Sequence, residues 1–292
     1  MLLNKPEYFY NPRQIVNRIF YRYYKNRKSY CRINLPWGTP IEVNINETIG
    51  RCLFTQGIYD LSISEIIFRI TEPGDLCVDA GANIGYISNL MSYKCGHQGK
   101  VFAFEPHPAI YKQLISNIGL LKQRNIQSMN TALSDKKGQA KLFIPTVFAI
   151  NQGTARIIHS DTQNDQADLI EVAMERLDDI LDIQPIKLLK IDVEGYELNV
   201  LKGAEKLLKE KCIRFIIYED DTKYPGKVSD YLEDFGFKIY KIGKTFRGPV
   251  LTNPQDNSYD LAYEPHNYLA VSSAEARLID PLQSGWTIYQ SR

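Results

Sequence analysis

The sequence predicts an α/β fold in which a mostly parallel sheet carries helices on both faces. Three observations lead there. From Leu76 onward, the short near-continuous apolar runs "LCVDA", "KVFAFE", "IKLLKID" and "IRFIIYE" read as strands buried on both sides. Amphipathic stretches with helical spacing separate these runs, which is the pattern of a sheet wound in two directions. The last two runs, "FKIYKI" and "NYLAVSS", are joined by a loop without a helix, so the sheet should end on an antiparallel edge.

Taken in order, residues 12–28 place Ile15, Val16, Ile19, Phe20, Tyr23 and Tyr24 at helical spacing, with Arg18, Arg22 and Lys25 on other faces. Residues 31–49 read as a hairpin turning at "PWGTP". The chain thus divides into a basic helix and hairpin at 1–50, a main domain at 51–275 and a tail at 276–292. Within the main domain the strand at 76–80 leads to a helix over 84–94, then "KVFAFE", a helix over 108–122 and the strand "QSMNTAL". A β-rich stretch near 139–174 and "RLDDIL" come next, then "IKLLKID", a helix over 196–210, "IRFIIYE" and a helix over 227–235. Residues 247–264, rich in turn formers, read as a long loop that either covers the site or lacks regular structure.

Composition narrows the function. A chain of 292 residues with 44% hydrophobic content buries a large core, and a net charge of +1 marks no general binder of polyanions. The charge is uneven, however: the first 32 residues hold eight Lys or Arg against the single acid Glu7. No run is long and apolar enough to span a bilayer, and the N-terminus lacks the apolar core of a signal peptide, so a cytoplasmic location is expected. Five scattered cysteines contain no C-x-x-C pair, and the four histidines have no metal-ligand spacing, so free thiols and no metal ligands are expected.

The chemistry centres on "LCVDAGANIGYIS". In an open α/β sheet the ligand sits beyond the carboxyl ends of the strands, where the first strand hands over to its helix. A dinucleotide fingerprint needs glycines at 79, 81 and 84, and the chain has Asp79, Gly81 and Ile84. A phosphate-binding G-x-x-x-x-G-K-[ST] loop is absent, and an acid at the start of the turn opposes a pyrophosphate. It suits S-adenosylmethionine, which is cationic and carries no phosphate: Asp79 can accept from the ammonium, directly or through water. Glu105, which ends "KVFAFE", stands where a carboxylate accepts from both ribose hydroxyls.

Together "VDAGANIGYIS", "FAFEPHPAIYKQLISNI", "NTALSD" and "LLKIDVEGYELNVLKGAEKLL" resemble the FkbM-type family of S-adenosylmethionine-dependent methyltransferases over about residues 50–220. The resemblance implies a seven-stranded, doubly wound, Rossmann-like sheet of order 3-2-1-4-5-7-6 with its last strand antiparallel. It further implies that Asp79, Gly81, Ala82, Asn83 and Gly85 line the methionine part of the cofactor. Glu105, with Pro106 beside it, would meet the ribose, and the turn containing Asn130 and Ala132 the adenine. Where the wider fold often has an acid near the adenine, this chain has Asn130 and Thr131. Tyr59 or Asp60 would close over the methionine end, or simply begin a helix.

Methyl transfer from a sulfonium is an in-line displacement, so the protein must align the acceptor and remove its proton. Candidate bases lie at the ends of strands four and five: Asp192 first, then Glu194 and Glu219. Strand alternation puts Lys190, Asp192 and Glu194 on one side. Glu194 and Glu197 also suit the positive end of the following helix. Asp192 with Glu219 or Asp220 would permit a divalent magnesium ion, as in catechol-type methyltransferases, without requiring one. The tetrapeptide of base methyltransferases is replaced by "IDVEG", which favours an oxygen acceptor: a hydroxyl or carboxylate of a secondary metabolite, sugar or peptide-derived molecule.

The basic N-terminal helix reads first as docked on the domain with its charges in water, and next as a peripheral contact with a membrane surface through residues 12–32. Nucleic acid is not the expected partner. His107 reads as a helix-entry residue, and Trp37 and Trp286 as packing residues. Two rival readings stand beside the enzyme: a binding module that presents this helix to RNA or membrane, and a nicotinamide oxidoreductase, which Asp79 and Ile84 disfavour.

Overall fold

A computed structural model of the chain describes residues 6–25, 29–145, 155–158, 168–220, 222, 224–259, 266–278 and 285–289. Two helices, α1 (Glu7–Tyr10) and α2 (Gln14–Tyr24), precede the hairpin β1 (Tyr30–Asn34) and β2 (Pro40–Asn44). Then come α3 (Thr48–Gln56), α4 (Leu61–Ile70), β3 (Leu76–Ala80), α5 (Tyr86–Cys95), β4 (Lys100–Phe104), α6 (Pro108–Gly119) and β5 (Ile126–Met129). A second sheet uses β6 (Ala132–Leu133), β7 (Gly138–Ile144), β8 (Arg156–Ile158) and β9 (Asp168–Glu175). The chain continues through α7 (Leu177–Ile180), β10 (Ile186–Ile191), α8 (Glu197–Gly203), α9 (Glu205–Lys209), β11 (Ile213–Glu219) and α10 (Lys227–Asp234). It closes with β12 (Phe237–Thr245), β13 (Gly248–Thr252) and β14 (Asn267–Ser272).

The main sheet has the order β13-β12-β14-β11-β10-β3-β4-β5. Strands β5, β4, β3, β10 and β11 are parallel, whereas β14 runs antiparallel between β11 and β12. Without β13 this is the seven-strand order the resemblance implies. The expected antiparallel edge is present: β14 lies between β11 and β12, as that order requires, and β11, β14, β12 and β13 pair antiparallel out to the edge. One detail differs from expectation. Part of the expected 247–264 loop is strand β13, paired with β12 from Thr245↔Gly248 to Lys241↔Thr252. Its Gly and Pro suggest a turn, but at a sheet edge Pro249 forfeits no required hydrogen bond, and Leu251 supplies a buried side chain.

Strand alternation divides the core in two. Leu188, Phe215 and Ile217 face a cluster that contains Ile66, Ile67, Leu90 and Trp286, while Leu189 and Ile216 face Val200, Leu201, Leu208 and Leu232. Helix α4 supplies much of the first layer and is buried along nearly its whole length. Glu47 caps α3 by accepting from Ile49 N at 3.1 Å and Gly50 N at 2.9 Å, which anchors the segment the sequence reading leaves unassigned. Ile41 and Val43 of the hairpin belong to the same cluster. So do Trp286 and Ile288, whose segment is tied down by Glu65: its Oε1 accepts from Thr287 N at 2.9 Å and its Oε2 from Ile288 N at 2.9 Å.

The expected strand "QSMNTAL" is split at Asn130 and Thr131, so that β5 joins the main sheet and β6 pairs with β9. The expected helix at 196–210 breaks at Ala204 into α8 and α9. Gly203 lies there because a Cβ would stand 2.0 Å from the Ser134 carbonyl oxygen. The five cysteines are free thiols. Among the described residues no helix is long and apolar enough to cross a membrane.

Candidate active site

The carboxyl ends of β3, β4, β10 and β11 converge, and the chemistry gathers there. β3 delivers Asp79, fully buried, and Ser88 Oγ donates to its Oδ2 at 2.6 Å. Its Oδ1 has no hydrogen-bond donor, although Lys190 Nζ lies 3.6 Å away. Burial raises the Asp79 pKa, opposed by the Lys190 charge and the Ser88 bond. The turn after β3 passes close to β10: at Gly81 (φ +78°) a Cβ would lie 1.9 Å from the Asp192 carbonyl oxygen, so only glycine fits. Gly81 N and Ala82 N both donate to Phe104 O, at 3.0 and 2.9 Å. Asn83 has a left-handed φ of 48°, and Gly85, at 88°, opens α5.

β4 delivers Glu105, which is 6% exposed. Its Oε2 accepts from Asn83 N and its Oε1 from His107 N, each at 2.9 Å, so one carboxylate ties together the turns that follow β3 and β4. Burial pushes its pKa up to about 7, against the pull of these two bonds. Pro106 follows, and the Asn130 amide donates to the carbonyls of Glu105 at 2.8 Å and Pro106 at 2.9 Å. Asn130 therefore braces this turn through both carbonyls, and Ala132 beside it is buried. Thr131 Oγ1 is turned toward the second sheet, donating to Ala173 O at 2.9 Å. His107 caps α6, its Nδ1 accepting from Ala109 N at 3.2 Å.

β10 contributes a residue to which the sequence reading gives no role. Lys190, 6% exposed, places Nζ 3.0 Å from Asp192 Oδ2 and 3.3 Å from Gly81 O, as well as beside Asp79. Burial alone would lower its pKa, but Asp192 and Asp79 outweigh burial and raise it, so the ammonium persists. Its signal was present: a lysine inside an apolar strand must find carboxylates. Asp192 is half-buried, its side chain 43% exposed. The alternation stops there. Glu194 takes a left-handed φ of 53° and is exposed, outside the cavity described next, so the expected common side of Lys190, Asp192 and Glu194 holds only for the first two. Glu197 is buried and accepts from Gly195 N at 3.0 Å, closing the turn.

A cavity of about 390 Å³ opens beside this cluster. Its inner wall holds Lys190, Asp192 and Glu219, and Tyr59 and Asp60 line it from the entry to α4. Asp60 also caps α4, its Oδ1 accepting from Ile63 N at 3.4 Å. Burial, helped by the Asp60 and Asp192 charges, raises the Tyr59 pKa, so its hydroxyl stays protonated. Arg18, Lys241, Lys244 and His266 contribute to the lining. Lys241 is 5% exposed and donates to Asn257 Oδ1 at 3.0 Å, while Lys244 pairs with Glu7 at 3.1 Å. Asp79, Gly81, Asn83 and Glu105 do not line it; they lie at and just beyond the ends of the neighbouring strands β3 and β4.

Other candidates lie apart from the cavity lining. Asp220 points into a local turn, with Oδ1 accepting from Thr222 N at 2.8 Å, and Asp221 falls outside the described residues. Among the described residues no group of three or more His, Cys, Asp or Glu could hold a metal. Trp37 Nε1 donates to Asn89 Oδ1 at 2.9 Å and Trp286 Nε1 to Phe246 O at 3.1 Å, and both indoles are buried in the core.

Residues 79–239 match the Methyltransferase FkbM domain. The chain is 30% identical over 219 residues to "Methyltransferase sdnD" of Sordaria araneosa, covering 64% of this chain and 80% of that protein. It is 28% identical over 173 residues to "Hexuronic acid methyltransferase AglP" of Haloferax volcanii, covering 59% of this chain and 66% of that one. A solved methyltransferase FkbM from Methylobacillus flagellatus KT superposes with a TM-score of 0.43 at 16% identity, covering 68% of this chain and 44% of that chain. The matched span runs from the turn acid Asp79 through β10 and β11 into β12, and on that ground the chain belongs to the FkbM family of S-adenosylmethionine-dependent methyltransferases.

Proposed function

We propose that the protein moves a methyl group from S-adenosylmethionine to an oxygen, hydroxyl or carboxylate, of a small acceptor such as a sugar, secondary metabolite or peptide-derived molecule. The observation that carries this reading is the cavity of about 390 Å³ lined by Lys190 and Asp192, where Lys190 Nζ, 3.6 Å from Asp79, joins the cavity to the turn proposed for the cofactor. A cavity of this size encloses a small molecule rather than a duplex. Its lining mixes the cations Arg18, Lys190, Lys241 and Lys244 with the acids Glu7, Asp60, Asp192 and Glu219, which suits a polar, hydroxyl-bearing acceptor. A relative named for hexuronic acid is in keeping with that.

The residues fit the cofactor on two counts. The buried Oδ1 of Asp79 accepts no hydrogen bond, its ionic partner Lys190 standing 3.6 Å away, so it has room to accept through water, and Glu105 keeps acceptor capacity beyond its two backbone bonds. Glu105 and Pro106 would hold the ribose, the 81–85 turn the methionine part, and the Asn130–Ala132 turn the adenine. When bound, the cofactor supplies an electrophilic methyl whose bonding electron pair returns to sulfur on transfer. The chain does the rest. Lys190 fixes one oxygen of Asp192 at 3.0 Å, leaving the other for the acceptor's proton. Glu219, at the end of the adjacent strand β11, is a second acceptor for that proton. Tyr59, protonated, orients the acceptor by donating a hydrogen bond.

The test is incubation with methyl-labelled cofactor and an extract of the source organism, followed by mass spectrometry. The expected product carries the label on oxygen, as an ether or as an alkali-labile ester. Label only on nitrogen or carbon, or no transfer, refutes the proposal.

A further inference from the structure

Helix α2 carries its apolar residues on the wrong side for a core helix. Its inner face, Gln14, Arg18 and Tyr21, is turned inward, with Gln14 fully buried and Arg18 lining the cavity. Its outer face presents Ile15, Val16, Ile19, Phe20 and Tyr23, each between 49% and 66% exposed. At 3.6 residues per turn these five occupy an arc of about 140°. Arg13 falls at one border of that arc and Arg22 at the other. Phe9, on the preceding turn, is 72% exposed. Scattered exposed apolar side chains need no explanation, but a contiguous stripe of this kind does.

We infer that α2 is an interfacial helix that lays Ile15, Val16, Ile19, Phe20 and Tyr23 into the surface of an anionic membrane while Arg13 and Arg22 pair with lipid phosphates. Charge selects this occupant. The first 32 residues carry eight Lys or Arg and one acid, while the other 260 residues have a net charge of about −6, and among the described residues Arg13 and Arg22 stand exposed at the two borders of the apolar stripe. A second copy would fit poorly, since a two-fold contact through the stripe brings Arg13 and Arg22 of both copies together. A nucleic acid would need cations at the centre of the contact, where Ile19 and Tyr23 stand. Because Arg18 on the opposite face lines the cavity, docking would leave only one helix width, about 10 Å, between bilayer and acceptor.

The experiment is vesicle flotation of the full chain with phosphatidylcholine alone and with phosphatidylcholine–phosphatidylglycerol mixtures. Variants are Ile19→Glu and the pair Arg13→Glu/Arg22→Glu, all at exposed positions outside the cavity. Wild type should float with the anionic vesicles, and added salt should weaken it. Ile19→Glu should lose at least about tenfold in partitioning, and the charge-reversed pair should lose its preference for anionic lipid. Unchanged melting temperature and S-adenosylhomocysteine affinity would show both variants folded. Three results would overturn the inference: no flotation of wild type, flotation indifferent to Ile19→Glu, or, without vesicle binding, an RNA complex or dimer that these variants abolish.

Discussion

Replacing Lys190 with methionine removes the ammonium that stands 3.6 Å from Asp79 Oδ1 and 3.0 Å from Asp192 Oδ2 while keeping most of the apolar stem. The two carboxylates respond differently. Asp192 is 43% exposed, so water screens its share to about 1 kcal/mol or less. Asp79 is fully buried and its Oδ1 accepts no hydrogen bond, so the Lys190 charge offsets its own, and breaking such a pair costs about 3–5 kcal/mol while the acid stays ionised. Protonation is its escape. Burial already raises the folded pKa of Asp79 above the unfolded 3.8, so between those values the folded state binds the extra proton and stability falls as pH rises. Without Lys190 that window extends upward, and the variant should lose up to about 1.4 kcal/mol more per pH unit within it. Urea unfolding at about pH 5.5 and about pH 7.5 reads this directly. Lys190→Met should be clearly worse at the higher pH, and Asp79→Asn/Lys190→Met should recover most of the loss. An equal loss at both values, with no recovery in the double variant, would refute the buried-pair reasoning.

Burial pushes the Glu105 pKa up to about 7, and in the proposed cofactor placement only its carboxylate form would accept from both ribose hydroxyls. Cofactor affinity measured by calorimetry should therefore weaken by about tenfold from pH 8 to pH 6, and Glu105→Gln should flatten that dependence. Gly81→Ala places a Cβ 1.9 Å from the Asp192 carbonyl at a φ of +78°, so cofactor affinity and thermal stability should both fall, by about 1–3 kcal/mol in stability at least. Asp192→Asn should lower turnover by about a hundredfold or more and leave S-adenosylhomocysteine affinity within about threefold. Glu65→Ala unties Thr287 N and Ile288 N, so the 285–289 segment should exchange its amide hydrogens faster and the protein should lose about 1–3 kcal/mol.

The central strands were legible because β3, β4, β10 and β11 are buried on both faces, which writes them into the sequence as unbroken apolar runs. The turn "DAGANIG" was legible because Gly81 and Gly85 meet backbone demands that other residues cannot satisfy. Other features depend on contacts distant in sequence. Strand β13 reads as a turn-rich loop until β12 gives it a partner. Beyond a helix start at Tyr59 or Asp60, α3 and α4 are not legible: α4 opens on the alternation Leu61, Ser62, Ile63, Ser64, which mimics a strand, and its Ser64 and Glu65 are buried against Tyr86 and Thr287, distant in sequence. Trp286 reads as part of a tail, although Phe246 O, 40 residues upstream, accepts from its indole. Glu194 left the expected strand face because its backbone turns left-handed. The role of Lys190 required seeing Asp79 from β3 and Asp192 beyond β10 on either side of one ammonium.

A crystal structure with bound S-adenosylhomocysteine tests the central claim most directly. It should show both ribose hydroxyls within hydrogen-bond distance of Glu105, the amino acid part over Gly81 and Asn83, and the sulfur facing the cavity beside Asp192. A ligand whose ribose avoids Glu105, or whose sulfur is walled off from Asp192 and Glu219, would contradict it.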